Sequence, residues 1–205
     1  MNSKNLLLLV GCFSAFVFIA SCAALQIAQD VQQGRNALRT GQPAAAVSYL
    51  RRAADLDPNY HAPDVLGESV LTYLGRAYYE MGNFLEARNV LEKALANHPQ
   101  DHTAHLYLGL TYLRSGDQDR GRREVESGLK GIYATLESLA SSPYQGIFWD
   151  PGRPIRSEIQ RALGGKLESA QLVGVAEWVG SKLDEEVEIA RRDETRERYQ
   201  RGGDD

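Results

Sequence analysis

Residues 74–87, Leu-Gly-Arg-Ala-Tyr-Tyr-Glu-Met-Gly-Asn-Phe-Leu-Glu-Ala, and residues 108–117, Leu-Gly-Leu-Thr-Tyr-Leu-Arg-Ser-Gly-Asp, carry one pattern displaced by 34 residues. Self-similarity at such a period means small units that bury their apolar faces against one another. Each spacing has a physical task. Leu74, Gly75 and Tyr78 stand at i, i+1 and i+4, one stripe of a helix, and Gly75 clears the way for a partner helix. Gly82 ends that helix. Ala87, Leu91 and Ala94 return every three or four residues, the inward face of a second helix that Pro99 stops.

An earlier copy keeps Gly34, Gly41, Ala46, Leu50, Ala53 and Pro58 in register but has Gln33 and Ala37 where Leu and Tyr stand later. Its offset to the second copy is 41 residues, so seven have been inserted, placed within Asn59 to Gly67. Pro63-Asp64 reads as a new helix start, which would lengthen the next helix upstream. In the third copy Gly121 and Gly128 replace Ala, and Tyr133 stands where Pro would be. Each glycine costs ~1 kcal/mol of helix propensity. Without a proline stop that helix should run from about Asp117 to Ala140, an overlong end that begins a cap.

The second copy resembles the tetratricopeptide repeat at nearly every signature position, Leu74, Gly75, Tyr78, Gly82, Ala87, Leu91, Ala94 and Pro99. The resemblance implies an all-α solenoid of about three helix-turn-helix repeats, 27–60, 68–101 and 102–133, closed by C-terminal capping helices. It implies a binding module whose first helices line a concave groove. Carried over position by position, that groove would offer Val31, Gln32, Arg35 and Arg39, then Thr72, Tyr73, Arg76 and Tyr79, then Tyr107, Leu110, Leu113 and Arg114. Aromatic, aliphatic and arginine groups together suit a peptide or partner helix. The alternative is that the chain's own C-terminal helices cover Tyr107, Leu110 and Leu113. Chaperone-binding arrays place Lys and Asn where this chain has Val31, Arg35, Tyr73, Thr103 and Tyr107, so their carboxylate clamp is absent.

The N-terminus adds an address. Lys4 precedes an apolar run from Leu6 to Ala20, which is short for a membrane-spanning helix and suits a leader over 1–21. The run ends Ile19-Ala20-Ser21-Cys22, which resembles the bacterial lipobox. The resemblance implies a diacylglycerol thioether on Cys22, a covalent lipid rather than a cofactor, and a short tether over 22–26. Two or three acyl chains, at about 0.8 kcal/mol per buried methylene, anchor firmly. Ala23 rather than Asp after the cysteine favours an outer membrane, facing the periplasm, in a Gram-negative source. Removal of the leader takes Lys4 and Cys12 with it; 22 Lys and Arg against 27 Asp and Glu leave −5. Such a balance without a basic stripe argues against nucleic acid as partner. One remaining cysteine excludes an intrachain disulfide.

The last third is less regular. Residues 141–154 hold several Pro and Gly breakers with Tyr144, Phe148 and Trp149, which either tether the chain to the last repeat or form an aromatic patch for a cell-wall glycan or small ligand. Region 134–165 thus reads as extended helix, loop and short helix, with Ile155, Ile159 and Leu163 on one face. In region 166–205, Leu172, Val175, Ala176, Val179, Leu183, Val187 and Ala190 form one stripe that should cap the repeats or pair with another copy. Beyond it Glu188/Arg192, Glu194/Arg198 and Glu197/Arg201 read as exposed i, i+4 pairs, and Glu185-Glu186 as solvated. His98, His102 and His105 surround Asp101 but each has a structural reason, so no metal site is assigned. No phosphate-cradling loop, nucleophile elbow or HExxH pattern occurs, and no enzyme is expected. The sequence therefore reads as a lipid-anchored envelope adaptor for a protein partner, with self-association through the Leu172–Ala190 stripe as the rival.

Overall fold

A computed structural model describes residues 23–64, 66–142, 149–165 and 167–201, with the side chains of only Arg192, Asp193, Thr195 and Arg196 past Ala190. The leader, Cys22, Tyr144 and Phe148 lie outside the described residues. Eight helices follow in order among them: α1 (23–39), α2 (Pro43–Leu56), α3 (Val70–Glu80), α4 (Phe84–Asn97), α5 (His102–Arg114), α6 (Gln118–Ala140), α7 (Pro154–Gly164) and α8 (Ser169–Arg201). The first six form three helix hairpins, and α3 packs on α2, α4 and α5.

Each hairpin turns the same way for the same reason. The residue after the glycine donates its backbone N–H five residues back: Gln42 to Ala37 O at 2.8 Å, Asn83 to Tyr78 O at 2.9 Å, Asp117 to Tyr112 O at 2.9 Å. That closure needs a left-handed residue between, and Gly82 and Gly116 supply it at φ +75° and +93°. Within each hairpin a second glycine sets the interhelical distance. A methyl added at Gly75 would meet Leu91 Cγ at 2.4 Å, and one at Gly34 would meet Leu50 Cγ at 2.5 Å. Leu50 and Leu91 are wholly buried in the seams so formed.

In the third hairpin Gly121 and Gly128, which the sequence presents only as a propensity cost, have a packing task. A methyl at Gly128 would lie 2.6 Å from the backbone N of Leu106, so α6 sits closer to α5 than alanine would permit. The helix runs to Ala140.

Two local expectations fail. Residues 23–26, expected as a tether, are helical and belong to α1, since Ala-Ala-Leu-Gln are strong helix formers. The insertion does not lengthen α3 upstream. Asp64 instead accepts from the N–H groups of Leu66 and Gly67 at 3.2 and 3.1 Å, making a turn. His61 and Ser69 then bridge, and Ser69 caps α3 through Thr72 N.

Beyond the repeats the chain locks onto α6. Asp150, fully buried, accepts from Ile155 N at 2.9 Å, Arg156 N at 3.1 Å and Arg156 Nε at 2.9 Å, which fixes the start of α7. Ile155 and Ile159 bury, while Leu163 is half-buried. α8 then returns against α7, α6 and α5. Its whole predicted stripe from Leu172 to Ala190 is buried within the chain.

Candidate functional site: the concave face

The first helices of the repeats face α8 across the concave side. Ten consecutive residues of α3, Val70 to Tyr79, are buried, and all but one of the residues from Thr103 to Leu113 of α5. A helix buried all round is packed on every side; here the second helices cover one side and α8 the other. Of the residues assigned to the groove, Val31, Arg35, Thr72, Tyr73, Arg76, Tyr79, Tyr107, Leu110 and Leu113 are buried. Arg39 and Arg114 remain exposed at its edges.

Each repeat contributes one arginine to one carboxylate of α8, in reverse chain order. Arg39 Nη1 lies 3.6 Å from Glu188, Arg76 Nη1 pairs closely with Asp184, and Arg114 Nη2 lies 2.8 Å from Glu177. The central arginine is the most constrained. Its Nε donates to Glu80 at 2.8 Å and its guanidinium stacks over the Tyr107 ring at 5.2 Å. At the Arg114 end Tyr79 donates its hydroxyl to Glu177, and burial holds the Tyr79 phenol well above its ordinary pKa. Gly180 brings α8 down onto Tyr107: a methyl there would lie 2.5 Å from the phenol oxygen.

α8 does not fill the groove. An open cleft of about 610 Å³ remains, lined on the repeat side by Leu38, Arg39, Arg76, Tyr79, Phe84, Tyr107 and Arg114 and on the α8 side by Glu177, Ser181, Asp184 and Glu185. Tyr79 stacks its ring 5.8 Å from both Phe84 and Tyr107, giving the cleft an aromatic floor.

At the other end of the groove two acidic residues tie the second and third repeats together. Asp101 caps α5 through Ala104 N at 2.9 Å and accepts from Thr72 Oγ1 of α3 at 2.5 Å. Glu68 is buried beside Asp184; burial first, then that charge, raises its pKa to about 7 against hydrogen bonds from Thr103 and Tyr73.

Two family models described as Tetratricopeptide repeat match residues 27–100 and 74–136, together more than half of the chain. The chain belongs to the tetratricopeptide repeat family. No curated protein and no solved structure matches it. Tetratricopeptide repeats are protein-interaction scaffolds, typically without catalytic chemistry of their own.

In this tetratricopeptide protein the histidines do not converge. His98 faces His61 with Nε2 atoms 2.6 Å apart, His105 faces Glu124 at 2.6 Å, and the His102 ring packs against Gly131. His61 Nδ1 lies 2.6 Å from the Gly67 carbonyl, so it carries the proton and its Nε2 accepts from His98. Among the described residues no group of three His, Cys, Asp or Glu side chains is placed to hold a metal ion. No described helix is long and apolar enough to cross a membrane.

Trp149 does not take part in an exposed aromatic patch. It is buried, because Asp150 and α7 pull the end of the loop into the core. Glu186, expected in solvent, accepts from Asp150 N at 3.0 Å, and burial holds its pKa up. Glu188, expected to pair along its own helix, also reaches Arg39 across the groove. The carboxylates of α8 are the groove residues that the sequence reading missed. The signal for them was present: Glu177, Asp184 and Glu188 flank the apolar stripe at i, i+7 and i+11, a single helical face.

Proposed function

We propose that this chain is a lipid-anchored scaffold of the bacterial cell envelope that docks a protein segment in the open part of its concave face. The cleft beside α8 carries the reading. Its aromatic floor at Tyr79, Phe84 and Tyr107, with Arg39 and Arg114 at the rim, combines rigid apolar area with fork-shaped donors. That is the chemistry of protein interfaces at their energetic centres. The anchor follows from the lipobox resemblance at Cys22. Since residue 23 already lies in α1, a lipid on Cys22 would set the first repeat close to the bilayer, with exposed Leu25 nearby. Outer-membrane placement and a role in assembling an envelope machine are part of the same proposal.

The test is capture of the lipidated protein from its own envelope after mild crosslinking. Beside it run Cys22→Ser and a paired cleft variant, Arg39→Glu with Phe84→Ala. The expected outcome is loss of membrane association in the first and loss of one crosslinked protein in the second. A partner set unchanged by the cleft variant removes the docking site from this face. The rival of a self-associating subunit no longer has the Leu172–Ala190 stripe, which is buried within the chain. It would rest on Trp178 and Ile189, exposed on one outer face of α8, and only self-crosslinks would favour it.

A further inference from the structure

The outer face of α8, opposite its buried stripe, is palindromic. Trp178, Lys182, Glu185 and Ile189 stand at i, i+4, i+7 and i+11, one stripe of the helix. Their spacing of four, three and four is the same from either end: apolar, charged, oppositely charged, apolar. Trp178 and Ile189 are 36% and 43% exposed, and Lys182 pairs with Glu185 at the surface. We infer that this stripe is a self-complementary interface. Two copies of the chain join through it as an antiparallel α8–α8 pair, with a two-fold axis between Lys182 and Glu185. The inference goes beyond the docking reading and uses neither Arg39 nor Phe84.

Register and charge carry it. An axis at that point sets Trp178 against the partner's Ile189 at both ends, and Lys182 against the partner's Glu185 on both sides. Four apolar groups meet and four charges alternate, with none left unmatched. A two-fold interface has this requirement, since one patch must complement itself. A parallel pair in register would instead set lysine on lysine and glutamate on glutamate. Gly174 is a second, independent sign. Every other glycine inside a described helix, the last residue of α7 apart, has an atom within 2.6 Å of where a methyl would lie; at Gly174 nothing lies within 4 Å. An interior glycine costs about 0.5–1 kcal/mol relative to alanine, and elsewhere in this chain it stands where another helix comes close. Gly174 is exposed on the same stripe, four residues before Trp178, and the antiparallel partner helix runs past it. Closure by a two-fold makes a dimeric adaptor rather than an open-ended assembly subunit. Self-crosslinks then accompany a docked partner instead of replacing it.

The experiment measures the mass of the full chain in mild detergent, by light scattering that separates protein from detergent, over about 1–100 μM. The unmodified chain should reach the mass of two chains. Trp178→Asp should hold it at the mass of one, with helicity unchanged. Charge variants test the register. Lys182→Glu alone opposes like charges across the axis, as does Glu185→Lys alone, so each should pair at least about tenfold more weakly than the unmodified chain. Mixed together, the two variants present only opposite charges to one another and should form a one-to-one heterodimer. A mass of one chain at every concentration overturns the inference. A dimer indifferent to Trp178→Asp, or charge variants that stay apart when mixed, overturns it equally. Failure here leaves the partner loss at Arg39 and Phe84 intact, whereas failure of the docking reading abolishes that loss whatever the mass of the assembly.

Discussion

Gly180 of α8 lies over the Tyr107 ring of α5 so closely that a methyl in its place would sit 2.5 Å from the phenol oxygen. Tyr107 is buried and stacked under Arg76, so moving its ring toward the cleft it lines would break that contact. Gly180→Val should therefore destabilise the chain by about 1–3 kcal/mol, the usual range for overpacking. It should do so although valine resists unfolded disorder better than glycine. Urea unfolding checks the loss. Limited proteolysis should show cleavage appearing first in α8, with α1–α6 still resistant.

The glycine–leucine seams are testable as pairs. Gly75→Ala would ordinarily gain about 1 kcal/mol of helix propensity. Here the new methyl meets Leu91 Cγ at 2.4 Å, so the substitution should destabilise. Leu91→Ala alone should cost about 2–5 kcal/mol, since Leu91 is fully buried. The double variant should lose less than the two single losses combined, because the new methyl enters the vacated space. A double-mutant cycle by chemical denaturation measures that coupling, and strict additivity would show that the two residues do not share a seam.

Glu68 should make stability fall with rising pH. Its folded pKa of about 7 lies above its ordinary value of 4.5, so the folded protein holds the proton more tightly than the unfolded chain. The stabilising contribution is whole below pH 4.5 and is lost as pH rises to about 7, at up to about 1.4 kcal/mol per pH unit. Glu68→Gln keeps an acceptor for Thr103 and Tyr73 and should flatten the stability profile over that window, being the more stable of the two at pH 8. Denaturation midpoints from pH 5 to 8 decide it.

Asp101 joins two repeats through one carboxylate, receiving Ala104 N and Thr72 Oγ1. Asp101→Ala should cost about 1–3 kcal/mol, from a lost helix cap and a buried hydroxyl left without its acceptor. Asp117→Ala removes an equivalent cap on α6, with Arg120 N as donor, but no link between repeats. It should cost about 1 kcal/mol. Thermal unfolding of both variants provides the comparison.

What the sequence determined was local and periodic. The 34-residue offset, the turn glycines at 82 and 116, the seam glycine at 75 and the run of α6 to Ala140 all follow from spacing and backbone chemistry within one repeat. The apolar stripe of α8 was legible too, though not what it would cover. Tertiary structure alone decided that the stripe turns inward, that Arg76 meets Asp184 at a separation of 108 positions in the chain, and that Trp149 is drawn into the core. Periodicity reports which face of a helix is apolar; it carries no information about which distant face meets it. That choice is made by the shape and charge of the groove, which exist only once the repeats have stacked.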